Sequence, residues 1–255
     1  MKLSIVFVLA TMTVATSAVA QPLEPLPPAD QPQPVQPDRV TPAPAAPVDN
    51  VDRREGNWRV ELGYRGSYIR SSEYNGPFST NGFLPEVSIA ASRTLIARGR
   101  FSFASGVAYD EGSSDATARG DPTSLSVQRV TVTLEGRLGF GPWGYAYLRA
   151  APGAALQKAE ITDPSSPDPL TKNDWLFATD LSAGYAWLVW PRWERSTVEP
   201  RLWLQAEGGY GWVAEQQLAL APALPPGSTD RVTGIDLGSL AMQGGYFRIA
   251  AAVSF

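Results

Sequence analysis

Residues 57–70 read NWRVELGYRGSYIR. Every second residue from Trp58 is apolar or small (Trp58, Val60, Leu62, Tyr64, Gly66, Tyr68), while Arg59, Glu61, Gly63, Arg65 and Ser67 fill the gaps. Successive side chains of an extended chain point to opposite faces, so this spacing predicts a strand with one greasy and one polar face. The period of two recurs downstream. LPEVSIAASRTL sets Val87, Ile89 and Ala91 against Glu86, Ser88, Ala90 and Ser92. RFSFASGVAY sets Phe101, Phe103, Val107 and Tyr109 against Arg100, Ser102, Ala104, Gly106 and Ala108. RVTVTLEGRLGF sets Val130, Val132, Leu134, Leu138 and Phe140 against Arg129, Thr131, Thr133, Glu135 and Arg137.

Farther on, Trp175, Phe177, Leu181, Ala183, Tyr185 and Trp187 oppose Ala178, Asp180, Ser182 and Gly184. Leu202, Leu204, Ala206, Tyr210 and Trp212 oppose Arg201, Gln205, Glu207 and Gly209. The final stretch, GGYFRIAAAVSF, puts Phe247, Ile249, Ala251, Val253 and Phe255 on one face and Arg248 on the other. WGYAYLRAAPGAAL, beginning at Trp143, fits two registers. The favoured one keeps Tyr145, Tyr147 and Arg149 together on the polar face and Ala146, Leu148 and Ala150 on the apolar one, because an Arg facing lipid costs about 2–4 kcal/mol. Pro152-Gly153 then marks a bulge or strand end.

A soluble β-sandwich or barrel turns its apolar face inward, whereas a membrane barrel turns it to lipid. The polar faces here are rich in Gly, Ala, Ser and Thr, with scattered Arg and Glu and almost no Lys, a composition suited to a narrow lumen where each charge needs a partner. Links alternate in length. Those around Ser71–Phe83, Asp110–Ser124, Gln157–Asn173 and Ala214–Leu237 read as long loops, and those around Thr94–Gly99, Gly139–Pro142 and Trp190–Thr197 as short turns. Trp58, Phe140, Trp143, Trp187, Trp190, Trp193 and Phe255 fall at the short-turn ends, and Tyr68, Tyr109, Trp175 and Trp212 toward the long loops. Two aromatic bands match the two interfaces of a bilayer. The expectation is an all-β, closed, antiparallel transmembrane β-barrel of eight strands over residues 57–255.

The chain has 255 residues, a net charge of −4, 18% charged residues, no Cys and no His. The charge gives no basic field for nucleic acid. The missing Cys excludes disulfides and thiolate sites, and the missing His removes the commonest general base and metal ligand. Residues 1–20 read as a signal peptide, with Lys2, an apolar run from Leu3 to Ala10, and Ala18-Val19-Ala20 before the cleavage point. Residues 21–56 carry ten of the 23 prolines and are expected to form a disordered, extended periplasmic segment.

These residues resemble the small eight-stranded outer-membrane β-barrel family, the OmpA transmembrane domain and OmpX/Ail type, over Asn57 to Phe255. The resemblance is most specific in YFRIAAAVSF. In that family such a strand, ending in Phe, is similar to the signal read by the β-barrel assembly machinery, and Phe247, Ile249, Val253 and Phe255 match it. The resemblance implies a monomer in the bacterial outer membrane with both barrel termini periplasmic. Its implied partners are outer-membrane lipid, lipopolysaccharide and the assembly machinery, with no cofactor. The proline-rich leader departs from the family pattern, and no peptidoglycan-binding domain is recognisable.

Function stays open between four readings. In the first, a non-enzymatic barrel stabilises the envelope or displays loops, and Arg59, Glu61, Arg65, Glu86, Arg100, Arg129, Glu135, Arg137, Arg201, Glu207 and Arg248 form an internal charge network. In the second, those charges line a narrow channel or gated pore. An outer-membrane enzyme of the known kind would need a His, which is absent. Adhesion would rest on Arg119-Gly120-Asp121 in the second long loop, a tripeptide that also reads as an ordinary turn. The acidic loops lack the regular carboxylate spacing of a calcium site.

Overall fold

A strand with one apolar and one polar face leaves both sheet edges unpaired unless the sheet curls on itself, and within lipid no edge is tolerated. In the computed structural model the chain meets this demand by closure. It describes residues 57–118, 120–141, 143–162, 169–190, 200–222 and 234–255. The expected signal peptide, the proline-rich segment, Arg119 and Trp193 lie outside them.

Among the described residues ten strands follow in order: β1 (Trp58–Ile69), β2 (Phe83–Arg98), β3 (Phe101–Ala118), β4 (Asp121–Gly139), β5 (Gly144–Ile161), β6 (Leu170–Trp190), β7 (Arg201–Val213), β8 (Gln216–Pro222), β9 (Ile235–Leu240) and β10 (Gln243–Ser254). Eight of them form a closed antiparallel ring, β1-β2-β3-β4-β5-β6-β7-β10, sealed where β10 pairs with β1. At that seam the Trp58 N–H donates to the Phe255 carbonyl at 3.1 Å, and the Phe255 N–H returns a bond of 3.0 Å. β8 and β9 make a hairpin arm that continues β7 and β10 beyond the ring, and β8 touches β6 at Leu170 and Thr171.

Period-two side chains sort as a membrane barrel requires. Leu62 (60% exposed), Leu148 (66%) and Leu181 (66%) face outward, whereas Arg59, Glu61, Glu135 and Arg149 are buried inside. Along β1 the outward apolar run spans ten residue steps from Trp58 to Tyr68. At about 3.3 Å per residue and about 40° of tilt that is a belt about 25 Å tall, the thickness of a membrane's apolar band. Exposed aromatics rim it: Trp58, Phe140, Trp143, Trp187, Trp190 and Phe255 at the end holding the seam's termini, and Tyr68, Tyr109, Trp175 and Trp212 at the other. Inside, space is short. A Cβ on Gly184 would lie 2.5 Å from the Tyr147 ring and 2.8 Å from the Ala206 carbonyl oxygen, so a larger residue at that inward position would force its neighbours to shift.

Two expectations are corrected. Pro152-Gly153 is neither a bulge nor an end: β5 runs on to Ile161, and its register against β4 and β6 is unchanged through the pair. The ladder simply skips Ala151 and Pro152 on the β4 side, and Pro has no N–H to donate there. The described parts of three expected long loops are largely strand, since β3 reaches Ala118, β4 starts at Asp121, β5 reaches Ile161, and β8 and β9 fall within the last connection.

The reason is an exchange of polarity along the barrel axis. Beyond the belt, Glu111, Ser113 and Asp115 of β3 and Lys158 of β5 point outward and are exposed. Inward positions there carry Leu125, Val127, Ala155, Ala159, Ile161, Leu218 and Leu220, all buried. Water has replaced lipid outside, so the strands revert to the ordinary arrangement of a soluble sheet. Residues 70–82 fold back into this upper part and bury Tyr74 and Phe78 completely. Each such side chain contributes about 1.5–3 kcal/mol of burial.

Candidate functional site

The lumen gathers charge because every inward position of the belt is reached by the same parity on neighbouring strands. β1 supplies Arg59, Glu61 and Arg65, β2 Glu86, β3 Asp110, β4 Arg129, Glu135 and Arg137, β5 Arg149, β6 Asp180, β7 Arg201 and Glu207, and β10 Arg248. Among the described residues that makes seven buried arginines against six buried carboxylates, a net of about one positive charge. Isolated charges could not be held in such a space, and near-neutrality with close pairing is the condition for keeping them ionised.

The charges form two layers. In the layer nearer the seam's termini, Glu61 accepts from Arg59 (2.8 Å), Arg149 (3.2 Å) and Arg248 (2.5 Å), and from the Gln205 amide at 3.4 Å. Glu135 accepts from Arg59 (2.9 Å), Arg137 (2.7 Å) and Arg149 (2.6 Å). Glu207 lies 3.3 Å from Arg149 and 3.5 Å from Arg248, and takes a hydrogen bond from the Tyr147 hydroxyl at 2.9 Å. In the second layer Arg65 pairs with Asp180 and lies 3.7 Å from Glu86, while Arg129 pairs with Glu86 and lies 3.8 Å from Asp180. Ser67 links the set, accepting from Arg65 at 3.1 Å and donating to Glu86 at 2.6 Å. The Arg65 guanidinium also sits 3.7 Å from the Tyr246 ring centre.

Both ends of this ionic column are covered. Below it Tyr145, Leu188 and Trp203 are buried together, with the Tyr145 and Trp203 rings 5.5 Å apart and the Trp203 N–H donating to Ser254 at 3.0 Å. Arg59 donates to the Tyr145 hydroxyl. Above it lies the apolar cap built on Tyr74, Phe78, Leu218, Leu220 and Leu240. The Tyr74 hydroxyl donates to the Phe83 carbonyl at 3.1 Å. Burial pushes its pKa above the ordinary 10, and the polar hydroxyls of Ser114 and Ser79 nearby pull it partly back. Hydroxyls of Ser71 and Ser72 donate to Glu73 at 2.7 and 2.8 Å and hold its carboxylate below the usual range. Two internal cavities, one between the layers beside Asp110 and Arg248 and one between the upper layer and the cap beside Arg129 and Met242, measure about 20 Å³ each. Each has room for about one water molecule.

Ten of the eleven residues expected in the lumen have buried side chains, nine of them in the ion pairs above and Arg201 at the start of β7. Arg100 does not: it is exposed on the turn between β2 and β3, where Gly99 takes a φ of 61° and the strand begins one residue later. Arg149 and Asp180 join the network beyond that set, and Asp110 is buried beside it. Alternation had already placed Arg149 and Asp180 on the polar face, whereas Asp110 fell at the start of an expected loop and carried no such signal. Phe247, Ile249, Val253 and Phe255 all project outward from β10 and its end. In the tripeptide motif, Gly120 turns the chain with a φ of 98° and Asp121 opens β4. No group of three or more acidic side chains positioned to hold a metal ion occurs among the described residues.

A closed ring of eight strands, apolar outside across a bilayer's thickness and ionic within, is the architecture of the small outer-membrane β-barrels. No protein-family model matches the chain, and no curated protein matches it. Among solved structures it is similar to Neisserial surface protein A, with 13% identity, a TM-score of 0.43, and 78% of this chain and 97% of that one covered. Ail, the attachment invasion locus protein of Yersinia pestis, in complex with the heparin analogue sucrose octasulfate, gives 10%, 0.45, 79% and 99%. The outer-membrane protease OmpT of Escherichia coli gives 7%, 0.41, 78% and 96%. Each likeness concerns the fold alone.

Proposed function

We propose that the protein is a non-enzymatic barrel of the bacterial outer membrane with a structural or surface-display role. In this reading both barrel termini lie in the periplasm, and the capped, polar strand extensions stand outside the cell. Outer-membrane lipid surrounds the belt, lipopolysaccharide meets its outer end, and the assembly machinery reads β10. The observation that carries the reading is the occlusion of the lumen by an aromatic floor, two layers of ion pairs and an apolar cap, with internal spaces of about 20 Å³. Such a body suits stiffening and display rather than conduction. The chain's lack of His and Cys supports a non-enzymatic role, since the familiar nucleophile–base pairings have no base here.

The pore reading keeps one supporting observation, the column of charge itself. Planar-bilayer recordings decide between the two. Wild-type protein and an Arg137→Ala variant, each shown to migrate as a heat-modifiable folded species, should give no unitary conductance above bare lipid. Stepwise currents from the wild-type protein would replace the structural reading with the channel one.

A further inference from the structure

The β2–β3 hairpin presents features that the sealed lumen does not use. Arg93, Arg98 and Arg100 are all exposed at the rim that holds the seam's termini, with Arg93 5.5 Å from the Trp58 ring. No Asp or Glu side chain among the described residues of that rim is exposed. A bulge between Thr94 and Ile96 leaves Leu95 and Ile96 exposed beside them, so the rim is cationic and apolar at once. Directly across the pairs Arg98–Phe101–Leu138–Ala146 an outward groove of about 500 Å³ opens on the lipid face. Phe101, Leu138 and Leu148 wall it, and Gly136, Ala146 and Ala183 form its floor. Nothing in the protein demands glycine at 136, because an added Cβ would meet no atom within 4 Å. The space lies open to whatever packs there from the membrane.

We propose that this rim and groove bind one anionic glycerophospholipid of the inner leaflet, its phosphate between Arg98 and Arg100 and a tail along the groove over Gly136. Charge complementarity selects the headgroup, and the groove fixes the lipid in place. The inference rests on the outer-membrane reading with this rim in the periplasm.

The test is native mass spectrometry of the full chain in detergent, titrated separately with phosphatidylglycerol, phosphatidylethanolamine and lipid A. Heat-modifiable migration is read first on every sample, so failure to form a membrane barrel is scored apart from failure of the site. Wild-type protein should retain one phosphatidylglycerol in preference to phosphatidylethanolamine. The double variant R98Q/R100Q should bind it about 30-fold more weakly, taking about a fivefold contribution from each arginine near an anionic surface. Gly136→Leu should also weaken retention while leaving every arginine in place. Equal retention of the two phospholipids, unchanged binding by R98Q/R100Q, or a preference for lipid A would each overturn the proposal.

Discussion

Glu61→Gln keeps the shape of the side chain and removes its charge. Glu61 is 1% exposed and accepts from Arg59, Arg149 and Arg248 at 2.8, 3.2 and 2.5 Å. Without it the lumen holds seven arginines against five carboxylates, and its excess grows from one positive charge to two. Removing one partner from a buried ionic set costs about 3–5 kcal/mol, because the remaining charges keep their desolvation penalty and lose its offset. The exposed pair Lys158–Glu160, 3.0 Å apart with Lys158 53% exposed, is the control: Glu160→Gln should cost about 0.2–1 kcal/mol. Urea unfolding of both variants in phospholipid vesicles, followed by tryptophan fluorescence, measures the difference. If Glu61→Gln falls within about 1 kcal/mol of wild type, the lumen is wet enough to screen its charges and the sealed-column account is wrong.

Leu148 is 66% exposed at mid-belt, so Leu148→Arg should destabilise the barrel in vesicles by about 2–4 kcal/mol, while Ser113→Arg above the belt should cost under about 0.5 kcal/mol. Comparable costs at both positions would put the membrane boundary elsewhere. Tyr74 has a raised pKa, so its contribution to the cap is complete below pH 10 and disappears as pH rises through the folded value. Subtilisin cleavage within residues 70–82 should therefore increase on going from pH 8 to pH 11 in the wild type and not in Tyr74→Phe, and equal increases in both would disprove the link. Phe255→Ala should lower the yield of folded barrel in the outer membranes of cells and leave refolding in detergent unchanged. Unaltered yield in cells would dismiss Phe255 as an assembly address.

Most of the belt was legible because lipid leaves no compromise: an outward Arg at 149 is so costly that one register of WGYAYLRAAPGAAL stands out. Arg149, Tyr145 and Tyr147 do lie inside, with Leu148 out. The upper third was not legible by the same rule. Segments such as Asp110–Ser124 and the start of β4 after it still alternate, but with polar residues outward and Leu125 and Val127 inward, so a search for lipid-facing apolar residues reads them as loop. Only the height of the membrane along the strand tells the two patterns apart, and a single strand does not carry that information. Arg100 illustrates a separate limit. Its parity fits a lumen position, but the positive φ of Gly99 decides where the hairpin turns, and the turn excludes Arg100 from the strand. The ion pairs themselves depend on how eight strands are staggered, as with Arg149 reaching Glu61, 88 positions away in sequence.

The seam between β1 and β10 also sets the order of events when the barrel forms. Trp58 bonds to Phe255, so closure joins parts of the chain separated by nearly the whole folded region. Contacts that distant carry the largest loop-closure cost, and folding that depends on them is slow. Neighbouring hairpins can pair early, yet the cylinder stays open until residues 243–255 arrive, and an open sheet shows lipid-loving side chains and bare edges to water. For this chain the interval before closure is therefore the one in which its outward apolar faces and unpaired edges lie most open to water.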